Sequence, residues 1–428
     1  MYLKINMKLV RERILLLIYS ICLIACTSNN RNKFNEIYAL IDFENFFEAK
    51  EIYDTYKNEL SEDHQLFIEA VLDNSFNRLS ESDRKVEDLL EKGRSLPDSL
   101  LLRLWEVKYD NALKLYDYSK AGDAVVYIIE NHKNLLSGKE LADYKNSLKI
   151  WQALKDIPPQ EVLIREPEIL TMEKDLAGLN TLQVSSNNDT LDFVFDTGAN
   201  ISTTSRSVAD RLNMNMIPVD IEVGTITGAK AEAQLAVCDE MCLGSILLRN
   251  VVFLVFPDEG LSFPQINYTI YGILGYPVME ALNEIRITQD GKFIVPVNES
   301  AYSGNPNLAL SGLTPLIWLN NKHFTFDTGA DRTMLYNAYY RENKEEIEKL
   351  YQPTSINFGG AGGTIEVEGF IINQTFTINN TEVEIDSIHL LKNKLDEGEI
   401  VYGNIGQDLI TKFDTLTLNF SKMFIKFD

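Results

Sequence analysis

The chain has 428 residues, 45% of them hydrophobic and 24% charged, which excludes a disordered chain and at this length points to two or three domains. A formal net charge of −23 excludes nucleic acid as a partner, because a phosphate backbone needs clustered Lys and Arg.

The first residues differ from the rest. Lys4, Lys8, Arg11 and Arg13 precede an apolar run from Ile14 to Ala25. A basic start followed by a short apolar run reads as a signal peptide, since the run is too short to span a bilayer comfortably. Leu23-Ile24-Ala25-Cys26 resembles the lipobox of bacterial lipoproteins. That resemblance implies lipid on Cys26, export, and attachment to a bacterial membrane on its periplasmic face or at the cell surface. An uncleaved N-terminal anchor is the alternative, and it also leaves the body exported. The expected organisation starts with a signal at 1–25 and a lipidated tether at 26–33. Only Cys238 and Cys242 then remain in the mature body, as a disulfide or as two free thiols. No His lies near them, so no metal site is expected.

Between Cys26 and Ile157 the only proline is Pro97 and the only glycines are Gly93, Gly122 and Gly138. Helix interiors exclude both residue types, so 34–157 reads as all-α. Leu66, Phe67, Ala70 and Val71 share one helical face, and Leu100, Leu101, Leu104 and Val107 share another. Breaks are expected near Ser61, Gly93–Pro97, Asp117 and Gly138. The stretch Asp98–His132 weakly resembles a tetratricopeptide-type hairpin. The helical region reads as a spacer or as a docking surface for a protein partner.

Pro158-Pro159 and Pro167 mark a linker over 158–175. Beyond it, β-branched and aromatic runs such as Phe193-Val194-Phe195 alternate with Gly, Asn and Asp turns, an all-β texture. This part is internally duplicated, with lobes expected at 176–300 and 301–428. Phe195-Asp196-Thr197-Gly198-Ala199-Asn200 recurs as Phe326-Asp327-Thr328-Gly329-Ala330-Asp331, 327 − 196 = 131 residues later. Each copy has an apolar residue and a glycine at a fixed distance: 275 − 196 = 79 to Gly275 and 406 − 327 = 79 to Gly406. Glycines also cluster about 30 residues after each Asp, at Gly224 and Gly228 and at Gly359–Gly363, as hairpin tips require.

These paired Asp-Thr-Gly-Ala units resemble the retropepsin-like aspartic proteases, joined in one chain as in the bilobal pepsin-like enzymes. The resemblance implies an all-β acid-protease fold behind the helical domain and an endopeptidase acting on a peptide or protein substrate. Asp196 and Asp327 would be the catalytic carboxyl groups. Thr197, Thr328, Gly198, Gly329, Gly275 and Gly406 would support them. Ala199, Asn200, Ala330 and Asp331, with Thr225, Gly228, Gly360 and Gly363 in two flaps, would face substrate. Two carboxyl groups sharing one proton activate water without a cofactor. Ala199 and Ala330 stand where pepsin-like enzymes usually carry a hydroxyl, which implies a weakly acidic to near-neutral optimum. HExxH is absent and none of the four His sits in a nucleophile motif. The alternatives are an inactive binding lipoprotein that keeps a protease-like cleft, and a peptidase that works only as a dimer.

Overall fold

The computed structural model describes residues 32–91, 96–224, 230–264, 267–360, 363–379, 381–395 and 399–428. The signal segment, Cys26, Thr225 and Gly228 lie outside them. Helix α1 covers 32–42. It is followed by α2 (Phe46–Tyr56), α3 (Glu62–Ser75), α4 (Leu79–Glu91), α5 (Asp98–Lys114), α6 (Tyr118–Asn131) and α7 (Gly138–Leu154). The starts follow the sequence signals. Ser61 accepts the His64 N–H, Asp117 accepts the Lys120 N–H, and Ser137 with Glu140 closes a capping box. Two further breaks, at Glu44 and Asn77, turn on left-handed residues (φ 53° and 57°).

The helical region is no free spacer. Tyr118, Ala121, Val125, Trp151 and Leu154 form one core with Ile221, Leu235, Val237 and Phe256 of the β region. Asn146 on α7 donates to Glu222 O (2.7 Å) and accepts from Glu222 N (3.0 Å), pairing with that backbone as a neighbouring strand would. The helices thus brace a hairpin of the first lobe, made of strands Asn215–Gly224 and Lys230–Leu243. Trp151 is 4% exposed, and its ring stacks on Tyr118 with centroids 5.9 Å apart. Trp151→Ala is expected to cost about 3–5 kcal/mol. It should also speed hydrogen exchange in Asn215–Gly224 while leaving Thr415–Asn419 protected; unchanged exchange in the hairpin would contradict the bracing.

Among the described residues, the strands form two large sheets, a central five-stranded one and a small two-stranded one. In the first lobe, Asp189–Phe195 runs parallel to Gly272–Leu274, whose other edge pairs antiparallel with Ser202–Ser205. In the second, Lys322–Phe326 runs parallel to Gly403–Ile405, and Met334–Leu335 lies antiparallel beyond. The registers repeat at the sequence offset: Phe195 faces Leu274 and Phe326 faces Ile405.

The central five-stranded sheet joins the lobes. Glu284–Thr288 pairs antiparallel with Thr415–Asn419, 415 − 284 = 131 residues later, with Arg286 opposite Thr417. Equivalent strands therefore meet about a pseudo-twofold axis. The segment read as a linker is built into these sheets. Glu161–Leu163 pairs with Ile246–Phe256, and Glu168–Thr171 pairs with Lys292–Val295. Cys238 and Cys242 are both free. They lie four residues apart on one strand, about 13 Å at extended rise, which no disulfide spans.

Candidate active site

Each Asp-Thr-Gly segment leaves the end of a strand that lies beside its parallel partner. The Asp196 N–H donates to Leu274 O (3.1 Å) and the Asp327 N–H donates to Ile405 O (3.0 Å). The strand pair therefore fixes each backbone where the carboxyl group begins. From there the loops cross between lobes. Thr197 N–H donates to Thr328 Oγ1 (3.0 Å), and Thr197 Oγ1 donates to Phe326 O (2.9 Å). The reciprocal bonds run from Thr328 N–H to Thr197 Oγ1 (3.1 Å) and from Thr328 Oγ1 to Phe195 O (3.1 Å). Both threonines are essentially inaccessible, at 0% and 1% exposure, so water cannot replace these bonds.

The glycines permit the close approach. A Cβ on Gly198 would stand 2.7 Å from Asp327 Cγ, and one on Gly329 would stand 2.3 Å from Asp196 Cγ. Beneath each loop, a Cβ on Gly275 would meet Ala199 O at 2.6 Å, and one on Gly406 would meet Arg332 C at 2.5 Å. Tyr276 N donates to Ala199 O (2.8 Å) and Gln407 N to Ala330 O (2.9 Å), closing equivalent turns.

The two carboxyl groups are brought together, each packed against the glycine of the opposite loop. Burial first, then the charge of Asp327 and hydrogen bonding to it, push the Asp196 carboxyl well above the usual range, against the Gly198 and Ala199 N–H groups. Gly198 N–H donates to Asp196 Oδ1 (2.8 Å); Gly329 N–H (2.8 Å) and Ala330 N–H (3.1 Å) donate to Asp327 Oδ1. Burial and the charge of Asp327 also raise the Tyr336 phenol. The pair thus has the arrangement in which one proton is held between two carboxylates.

The other expected residues fall in different places. Gly360 and Gly363 face each other across the hairpin of Thr354–Gly360 and Gly363–Ile378. Ala199 and Ala330 lie on the dyad loops. Asn200 instead accepts from Thr314 Oγ1 of the second lobe (3.3 Å) and lines a small cavity with Tyr116, Tyr276 and Leu313, at the junction with the helices. Asp331 is exposed beside Arg332 (3.5 Å). Among the described residues, no group of three or more His, Cys, Asp or Glu could hold a metal.

Three supporting residues escaped the sequence reading. Ser202 Oγ accepts the Gly275 N–H (3.0 Å) and Thr333 Oγ1 accepts the Gly406 N–H (3.2 Å). The signal was a hydroxyl at the same offset, 333 − 202 = 131. The third is Asn404, whose Nδ2 donates to Asp327 Oδ2 (3.1 Å).

Residues 182–278 match a protein-family model described as aspartyl protease. The matched stretch lies in the first lobe and includes Asp196 and Gly275; it ends before the second lobe begins. No curated protein matches the chain. Among solved structures, the chain is similar to basic 7S globulin from soybean at 9% identity and a TM-score of 0.39, covering 61% of this chain and 94% of that one.

Proposed function

We propose that the chain is an aspartic endopeptidase whose dyad is Asp196 and Asp327, one from each lobe. The observation that carries this reading is the crossed threonine bonding, which ties together the two loops and brings one carboxyl group from each lobe against the glycine of the other. One ionised carboxylate takes a proton from water, which attacks the peptide carbonyl. The protonated partner gives its proton to the carbonyl oxygen, forming a diol. The diol collapses as the first carboxyl group protonates the leaving nitrogen and the second recovers a proton from a diol hydroxyl. Both carboxyl groups return to their starting states, and no cofactor enters.

An extended peptide lying between the two hairpins would bond to their strands through its backbone. The lipobox-like Cys26 supports attachment to a membrane by lipid, with the body exported. Among the described residues, no helix is long and apolar enough to cross a membrane.

The dyad works while it holds one proton. A raised Asp196 retains that proton to higher pH, so the alkaline limb of activity moves upward. The optimum is therefore expected between weakly acidic and near-neutral pH; a maximum near pH 2 would contradict it. The reading itself is tested by incubating the full-length chain with a casein-derived peptide mixture from pH 3 to 8, beside Asp327→Asn. Cleavage by the parent alone supports it. Equal cleavage by both proteins excludes these carboxyl groups, and no cleavage by either folded protein moves the reading to a peptide-binding chain.

A further inference from the structure

The two units differ at one register pair beside the dyad. In the first lobe Val194 faces Ile273; in the second, 325 − 194 = 131 and 404 − 273 = 131 residues later, Thr325 faces Asn404. Two apolar residues are thus exchanged for two that hydrogen-bond. Thr325 Oγ1 donates to Asn404 Oδ1 (2.6 Å), and Asn404 Nδ2 donates to Asp327 Oδ2 (3.1 Å). Asp327 Oδ1 is already filled by the Gly329 and Ala330 N–H groups. Asp327 therefore receives donors on both oxygens. Asp196 receives backbone N–H groups from its own lobe, and Ile273, in the place of Asn404, has no donor to give.

The amide has one sensible orientation beside a carboxylate. Turned round, its oxygen would face Asp327 and would require that group to be protonated. The Thr325 hydroxyl lies 2.6 Å from Asn404 Oδ1 and 3.3 Å from Gly403 O; donation along the shorter contact is compatible with the orientation that presents the NH₂ to Asp327. A hydrogen bond from a neutral donor stabilises the charged form of its acceptor.

We propose that Asn404, steered by Thr325, is a positioning residue that fixes the dyad's negative charge on Asp327 and leaves the shared proton on Asp196. The inference rests on the peptidase reading of these two groups. It assigns their roles: Asp327 takes the proton from water, and Asp196 gives its proton to the substrate carbonyl oxygen. On collapse, Asp327 protonates the leaving nitrogen, and Asp196 recovers a proton from the diol. It also accounts for Ala330, because the hydroxyl donor absent there is supplied by Asn404.

Tyr336 follows Met334–Leu335, with Glu399 behind it; burial raises its phenol, which stays neutral over the working range. Lys174 reaches the site only through Gln407, whose amide donates to Thr328 O (2.8 Å). Asp331 and Arg332 pair with each other on the loop after Ala330, and His389 on Thr381–Leu391 faces that pair.

The test is a ¹³C NMR titration of the full-length protein labelled at aspartate Cγ, with the two dyad signals assigned by their loss in Asp196→Asn and Asp327→Asn. The first ionisation of the dyad is expected on the Asp327 carbon. Asn404→Ile, which copies the first lobe, should raise the midpoint of that ionisation by about 0.5 pH unit or more. Thr325→Val, which copies Val194, should move it the same way by less and serves should the first variant fail to fold. In cleavage assays Asn404→Ile should lower kcat about tenfold, with KM little changed and the acidic limb shifted upward by the same amount. A first ionisation on Asp196, or variant titrations that superimpose on the parent's, overturns the inference. The titration needs no turnover, so its outcome is separate from the peptidase reading, which fails if Asp327→Asn still cleaves.

Discussion

Asn in place of either Asp196 or Asp327 is expected to lower kcat by about 10²–10⁴-fold with KM little altered. An amide cannot accept the proton from water in one role or donate an acidic proton in the other. In the proposed mechanism each carboxyl group does both jobs in turn, so neither could compensate for its partner. The loss should appear in kcat because, in the proposed mechanism, the dyad acts on the reacting atoms while the lobes hold the substrate along its length. A variant whose KM rises while kcat holds would show that the carboxyl group binds substrate and does no proton transfer. The folds should survive, as Asn keeps the shape and one acceptor oxygen for the Gly198 or Gly329 N–H.

Thr328→Val is expected to destabilise the β region by roughly 2–5 kcal/mol, the cost of leaving two buried backbone groups unpaired. Valine matches the shape of threonine, so packing is nearly conserved and the change isolates the hydroxyl. That hydroxyl donates to Phe195 O and accepts the Thr197 N–H, both on the opposite lobe. Thr197→Val should cost a similar amount through the mirror-related bonds. The denaturant midpoint of each variant, compared at a common slope, reads the effect. Thr328→Ser keeps the hydroxyl and should recover most of the loss. A Val variant within about 0.5 kcal/mol of the parent would contradict the role given to these bonds in joining the lobes.

Part of this was legible in the sequence because duplication leaves a constant offset. The 131-residue spacing locates both Asp residues, both underlying glycines and, applied residue by residue, the hydroxyls of Ser202 and Thr333. Helix breaks were legible near Ser61, Asp117 and Gly138, where a cap is a local hydrogen bond. What stayed hidden is set by distant partners. Nothing local in 158–175 says that its strands join Ile246–Phe256 and Lys292–Val295, and its prolines suggested a linker instead. The seating of α7 on the first lobe's hairpin depends on the Asn146 side chain meeting the backbone of Glu222, 76 residues away. Asn404 was visible in the sequence, but it occupies a place where the other copy has Ile273. Its meaning appears only when Thr325 and Asp327 are seen on either side of its amide. Asn200 was read as a substrate residue from its place after Ala199, yet the chain turns there toward Thr314.

The central claim is that one chain assembles a complete dyad from its own two lobes. Mixing Asp196→Asn with Asp327→Asn in equal amounts, after co-refolding and across a wide concentration range, tests it most directly. The structure predicts that the mixture stays as inactive as either variant alone, while the parent has a specific activity independent of concentration. Cleavage restored by mixing would contradict it, because each working site would then be drawing one carboxyl group from each of two chains.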